Sequence, residues 1–191
     1  MSTADPSALA ARVVAFAAPA VLSTTQDVVR ATLPALAAPG AGAGVDPDVV
    51  AEETLTLVAT ATARAAETGL QAAPAALAAA GPALVELPFL YHDFLLGAHL
   101  VAAGEEGDVE PDQSVYARLE RKAAFYGAHL PVGRFPGPRA LGDVLALWMG
   151  RVSPPKLPTT PTERLAALGL TETLAAHTRL VLAFAQRASS G

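Results

Sequence analysis

Residues 46–69 read DPDVVAEETLTLVATATARAAETG and contain the clearest helix signal in the chain. Asp46 is suited to the N-cap, because its carboxylate can accept hydrogen bonds from backbone N–H groups that lack partners in the first turn. Pro47 then takes the first helical position, where no N–H is needed, and Asp48 lies at the positive end of the helix dipole. Glycine is common where a helix ends, so the stretch predicts a helix that starts at Pro47 and stops at Gly69.

The rest of the chain has the same helix-forming character. Ala, Leu, Arg and Glu dominate, strict alternation of polar and apolar residues is nearly absent, and Pro and Gly separate the periodic runs. We therefore predict an all-α protein, a single-domain compact bundle of seven or eight helices that spans residues 1–191. The predicted helices cover residues 7–18, 25–38, 46–68, 83–103, 112–130, 138–151, 160–169 and 172–188, with helix 83–103 at the centre and an Ala-rich turn at 73–80.

Three segments between the predicted helices have the composition of connections. The Gly-Ala alternation near 39–45 is typical of a flexible linker, and the acidic stretch 104–111 predicts a loop. Residues 153–161 hold four prolines and predict an extended segment. This segment leads into Thr160-Pro161-Thr162-Glu163, the pattern of a capping box at the start of a helix.

Composition excludes several classes of protein. The chain has no Cys, which rules out disulfides, thiolate metal sites and cysteine nucleophiles. An N-terminal secretory signal is not expected, since Asp5 precedes the first cation, Arg12. Charged residues and prolines interrupt the apolar runs, so we expect a cytoplasmic protein that does not span a membrane. The Ala-rich composition without Ile or Asn indicates a GC-rich bacterial gene.

Charge and aromatic residues are unevenly distributed. Residues 1–113 hold 3 basic and 14 acidic side chains, whereas residues 114–164 hold 8 basic and 3 acidic ones. Eight of the ten aromatic residues lie between Phe89 and Trp148. A ligand site is therefore expected to draw on the predicted helices 83–103 and 112–130.

The ligand-binding candidates are polar side chains of these two predicted helices. An antiparallel pairing of the helices places Asp93 near Arg118 or Arg121, and Glu86 near Tyr126 or His129. Because the first helix is otherwise apolar, its carboxylates need partners, either in a structural salt bridge or in a polar ligand pocket. The full set of candidates is Glu86, Tyr91, His92, Asp93, His99, Arg118, Arg121, Tyr126 and His129.

Motifs for known chemistry are absent or misplaced. The chain has no Glu-x-x-His and no His-x-x-x-His, so no metal site is predicted. The glycines of the segment 39–45 precede acidic residues that would repel phosphate. Ser153 and Lys156 have the spacing of a Ser-x-x-Lys motif, but two prolines separate them. We therefore predict no catalytic residue and no cofactor.

These observations favour a non-enzymatic helical protein. We expect it to act by association with itself or with a protein partner, or by holding a small ligand. One alternative is an enzyme with a ligand-processing site among the candidate residues. Another is anion or nucleic-acid binding through the basic stretch 118–156, although an isoelectric point near 5.3 argues against nucleic acid.

Overall fold

The computed structural model describes residues 5–37, 45–90, 113–153 and 159–190. These residues form seven α-helices and no strands, which confirms the all-α prediction. The helices are α1 (Pro6–Leu36), α2 (Pro47–Gly69), α3 (Pro74–Val85), α4 (Gln113–His129), α5 (Pro138–Val152), α6 (Pro161–Leu168) and α7 (Leu170–Ser190). The predicted linker near 39–45, the acidic loop 104–111 and most of the segment 153–161 lie outside the described residues.

Helix α2 is the central element of the described part of the fold. It packs against α1, α3, α4, α5 and α7. Thirteen of its 23 residues are buried, and they lie on all sides of the helix. The predicted start of a helix at residue 83 was wrong, because α3 begins at Pro74, ends at Val85 and is followed by a turn. Most of the predicted helix 83–103 lies outside the described residues, so its expected central position stays a prediction. The Ala-rich stretch expected as a turn at 73–80 is helical, since Ala is the best helix former and Pro74 opens the first turn.

Helix α1 is one continuous helix of 31 residues, whereas two helices were predicted. The prediction was wrong because Pro19 and Pro34 lie on the exposed side of the helix. Each proline leaves the carbonyl four residues earlier without its N–H partner. Those carbonyls belong to the exposed residues Ala15 and Arg30, so water can bind them. The opposite side of α1 is buried against α2, α3 and α7.

By length and composition α1 would also qualify as a membrane span. The core helix of a soluble protein meets the same test, and the buried stripe of α1 runs from Leu9 to Leu36. The expected cytoplasmic location therefore stays a prediction.

The helix ends have the local chemistry that the sequence indicates. The Asp46 carboxylate accepts the backbone N–H of Asp48 at 2.9 Å. Thr160 and Glu163 form the predicted capping box at the start of α6. Helix α2 ends at Gly69, as predicted, and this glycine also allows α2 and α7 to approach closely. A Cβ at this position would lie 2.5 Å from the Cβ of Ala185.

Candidate functional site

The candidate residues of the predicted helix 83–103 fall in two places. Tyr91, His92, Asp93 and His99 lie outside the described residues, so the expected pairing of Asp93 with Arg118 or Arg121 stays a prediction. Glu86 is exposed in the turn that follows α3, and the expected burial of this carboxylate was wrong. The helix ends one residue before it, which turns the side chain towards solvent.

The other four candidates lie on α4 but do not gather at one site. Tyr126 is fully buried, whereas Arg121 and His129 are exposed. The ring of His129 packs edge-on against Phe125, with the ring centroids 5.0 Å apart. Tyr126 and His129 are three residues apart on α4, a spacing at which side chains can share one face of a helix. The structure instead turns Tyr126 towards α2 and leaves His129 at the surface.

The partner of Tyr126 is a buried carboxylate that the sequence analysis did not single out. The Tyr126 hydroxyl donates to Oε2 of Glu53 at 2.5 Å, and the Glu53 side chain is only 4% exposed. Arg151 of α5 binds both oxygens of the same carboxylate, with Nε 2.9 Å from Oε2 and Nη2 2.8 Å from Oε1. Its guanidinium also lies over the ring of Phe125, 4.8 Å from the centroid. Glu53 thus joins α2, α4 and α5.

A second carboxylate extends this network to the surface. Lys122 lies 3.1 Å from Oε1 of Glu53 and 2.6 Å from Oε1 of Glu52. Arg118 binds both oxygens of Glu52, at 2.8 and 2.9 Å. Two members of the expected basic stretch 118–156 on α4, together with Arg151 on α5, are therefore used to neutralise α2.

The electrostatics of the network favour fixed charges. Burial raises the pKa of Glu53, but hydrogen bonds from Arg151, Tyr126 and Lys122 outweigh it and leave that pKa below its ordinary value. The pKa of Glu52 is lowered in the same way by Arg118 and Lys122. Burial and the neighbouring Glu53 carboxylate raise the pKa of the Tyr126 hydroxyl. At neutral pH the carboxylates are ionised and the phenol is protonated.

This arrangement indicates a structural role for the buried carboxylate of Glu53. Each oxygen of Glu53 already accepts two partners, and none of its lone pairs is left for a substrate. A bidentate arginine on a buried carboxylate also fixes the relative position of two helices. A signal for it exists in the sequence, since the adjacent carboxylates Glu52 and Glu53 are followed by a run of Thr and apolar residues from 54 to 63. Its partner Arg151 lies 98 residues away.

A second buried polar group lies between α1, α2 and α7. His177 of α7 is 6% exposed. Its Nδ1 is 2.8 Å from Oγ1 of Thr24, and its Nε2 is 2.6 Å from Oγ1 of Thr62. The Thr62 hydroxyl is in turn 2.7 Å from the carbonyl oxygen of Val58.

One pattern of protons satisfies all of these groups. Thr62 donates to Val58, the Nε2–H of His177 donates to Thr62, and Thr24 donates to Nδ1. The pattern requires a neutral imidazole. Burial agrees with this, because it lowers the pKa of His177 to about 4. His177 could not be predicted as a buried group from local sequence, because its partners lie 115 and 153 residues earlier.

A cleft of about 480 Å³ opens between α2, α4 and the end of α3. Of the described residues that line it, most are small or apolar, and three are charged. The Arg64 guanidinium donates to Glu67 at 2.9 Å within the cleft wall. The lining consists of Thr60, Ala63, Arg64 and Glu67 from α2, Leu84, Val85 and Pro88 from α3 and its turn, and Glu120, Ala123, Ala124, Gly127 and Ala128 from α4.

Of the five candidates that the structure describes, none lines this cleft, although Val85, Glu120, Gly127 and Ala128 of its wall directly adjoin them in sequence. The α4 side of the cleft could have been found from the sequence, because small residues recur at helical spacing at positions 123, 124, 127 and 128. Comparison of the chain with protein-family models, with curated proteins and with solved structures finds no match.

Proposed function

We propose that this chain is a non-enzymatic protein that holds a small, mainly apolar molecule in the cleft between α2 and α4. The observation that carries the proposal is the cleft itself. Its volume of about 480 Å³ lies within the range of small-molecule sites, and its wall combines apolar surface with a few polar groups.

The walls of the cleft have residues suited to such a ligand. Ala63 faces the cleft from α2, and Ala123, Ala124 and Gly127 face it from α4. Small side chains leave room between the two helices without exposing backbone polar groups. Leu84 and neighbouring residues supply larger apolar surface from the α3 side. Burial of a ligand against such surface is favourable by about 25 cal/mol per Å².

The distribution of exposed apolar residues favours a ligand over self-association. Among the described residues, the most exposed large apolar ones are Val132 at 74%, Val85 at 64% and Leu180 at 52%. They lie after α4, on α3 and on α7, which are three different elements. A stable interface needs a contiguous apolar patch, and these positions do not define one.

The pairing of the basic residues favours a ligand over nucleic acid. Arg118, Lys122 and Arg151 neutralise carboxylates of α2. A surface that binds phosphate needs cations that are available to the phosphate backbone. Three members of the stretch 118–156 are therefore already engaged within the protein.

The proposal can be tested with the neutral apolar dye Nile red. The wild-type chain should bind the dye and raise its fluorescence. Ala123→Leu places three more carbons in the cleft at little cost in helix propensity, and should weaken binding about tenfold or more. Ala63→Leu fills the opposite wall and should have the same effect.

The matched control is Ala176→Leu, which makes the same change at an exposed position of α7 outside the cleft. Circular dichroism and thermal unfolding should show that all three variants fold. If the dye does not bind, or if the two cleft variants bind it as tightly as the control, the proposed function is wrong.

A further inference from the structure

The charges of the cleft point to a class of ligand. We infer that the ligand is a lipophilic amine, with an apolar body and one protonated amino group. This inference rests on the proposed function, because it concerns the same cleft.

The cleft carries one carboxylate more than it neutralises. In the part of the chain that the structure describes, its charged residues are Arg64, Glu67 and Glu120. Arg64 is paired with Glu67 at 2.9 Å. Among the residues that the structure describes, Glu120 has no ion pair and no hydrogen bond, and its side chain is exposed. A ligand in the cleft therefore meets an unneutralised negative charge.

The sequence around the cleft offers Glu120 no cation of its own. On a helix, side chains three and four residues apart are neighbours, and for Glu120 these are Tyr116, Ala117, Ala123 and Ala124. The α3 wall contributes none either, since the sequence between Arg64 and Arg118 contains no Lys or Arg.

The cations closest to Glu120 in sequence are used elsewhere. Arg118 and Lys122 bind the carboxylates of Glu52 and Glu53 on α2. Arg121 is adjacent in sequence, but residues one apart on a helix do not face each other. A ligand amine is thus the natural counter-ion for Glu120.

The order of residues along α4 also orients the ligand. Glu120 lies at one end of the α4 wall, and Ala123, Ala124, Gly127 and Ala128 follow on the same face at helical spacing. The distance along the helix axis from residue 120 to residue 128 is about 12 Å, at 1.5 Å per residue. The amino group therefore binds at the Glu120 end, and an apolar body about two fused rings long lies against the alanines.

A ligand of the opposite charge does not fit this arrangement. A carboxylate or phosphate in the cleft would face Glu67 and Glu120, and the Nη1 of Arg64 is already bound to Glu67. The buried Nε of Arg64 has no hydrogen-bond partner among the described residues, but the three described charges of the cleft still sum to −1. Like charges at close range oppose binding. The cleft should therefore bind an amine most tightly, a neutral alcohol less tightly and a carboxylate least tightly.

The test uses three ligands with the same apolar body: naphthylmethylamine, naphthalenemethanol and naphthoate. Isothermal titration calorimetry at low salt should give the amine an affinity about fivefold higher than the alcohol, as expected for a partly exposed ion pair, and the carboxylate the lowest affinity. Glu120→Gln should remove the advantage of the amine, so that amine and alcohol bind equally. The control Glu172→Gln, at an exposed position of α7, should keep that advantage.

The outcomes separate this inference from the proposed function. The inference on ligand class is wrong, and the ligand site stands, if the amine binds no tighter than the alcohol or if E120Q keeps the preference for the amine. The same holds if none of the three ligands binds although Nile red does. If none of the three ligands binds and Nile red does not bind, the proposed function fails and the inference fails with it.

Discussion

Replacement of His177 by glutamine should remove most of the acid sensitivity of the fold between about pH 8 and pH 5. In the folded chain this imidazole is neutral, buried and hydrogen-bonded to Thr24 and Thr62. Burial lowers its pKa from 6.5 to about 4. As the pH falls through 6.5, the unfolded chain gains a proton that the folded chain does not take up, so stability falls with pH until the folded state is protonated near pH 4.

The size of the effect follows from the difference between the two pKa values. A difference from 6.5 to about 4 corresponds to a maximal loss of about 3 kcal/mol, at 1.36 kcal/mol for each unit. At about pH 5 the loss should already be about 2 kcal/mol relative to pH 8. The carboxylates of Glu52 and Glu53 contribute little in this window, because their pKa values lie below the ordinary 4.5.

Urea unfolding followed by circular dichroism at both pH values measures this difference. The wild-type free energy of unfolding should fall by about 2 kcal/mol, and that of H177Q should change by much less. The amide of Gln keeps a donor and an acceptor but does not titrate, and the other three histidines are common to both proteins. The reasoning is refuted if H177Q loses as much stability as the wild type.

Three further predictions concern charge, packing and the backbone. The pKa of Glu53 is lowered in the folded chain, so its ionised form stabilises the fold above pH 4.5 and this contribution is lost as the pH falls below that value. In Glu53→Gln the free energy of unfolding, measured by urea titration across the acid range, should therefore fall less steeply below pH 4.5 than in the wild type. Gly69→Ala should cost about 1–3 kcal/mol in thermal unfolding, since its Cβ would lie 2.5 Å from that of Ala185. Ala185→Gly in the same chain should restore part of the loss, and an unchanged single variant would contradict the close approach. Pro19→Ala should raise the free energy of unfolding by about 2 kcal/mol, because it restores a helix hydrogen bond. A decrease, measured by the same thermal unfolding, would show that the ring of Pro19 stabilises the helix and is not simply tolerated at an exposed position.

The parts of the fold that depend on neighbouring residues were predictable from the sequence. Asp46 and Pro47 mark the start of α2, and Thr160 and Glu163 mark the start of α6, because a cap is made by side chains within three residues of the backbone that they satisfy. The all-α class follows from composition and periodicity for the same reason.

Features that depend on the position of a residue relative to the core were not predictable in this way. A proline is tolerated within a helix when the carbonyl that it leaves unpaired, four residues earlier, is exposed to solvent. For Pro19 this depends on which side of α1 is buried. The buried ion pair of Glu53 could not be predicted for a similar reason, because its partner is distant in the sequence. Glu53 and Arg151 stand 98 residues apart, and their pairing depends on how α2 and α5 pack.

The contact between α1 and α7 has a consequence for synthesis of the chain. Phe16 and Phe184 stack with their ring centroids 4.0 Å apart, and the two helices share an extended interface. During translation α1 leaves the ribosome first, and its apolar stripe lacks this cover until α7 follows. At 5–20 residues per second the interval is about 7–30 s. Until then only α2 and α3 can cover α1 in a nascent chain of this fold, and the apolar residues that face α7 are open to chaperones or to other nascent chains.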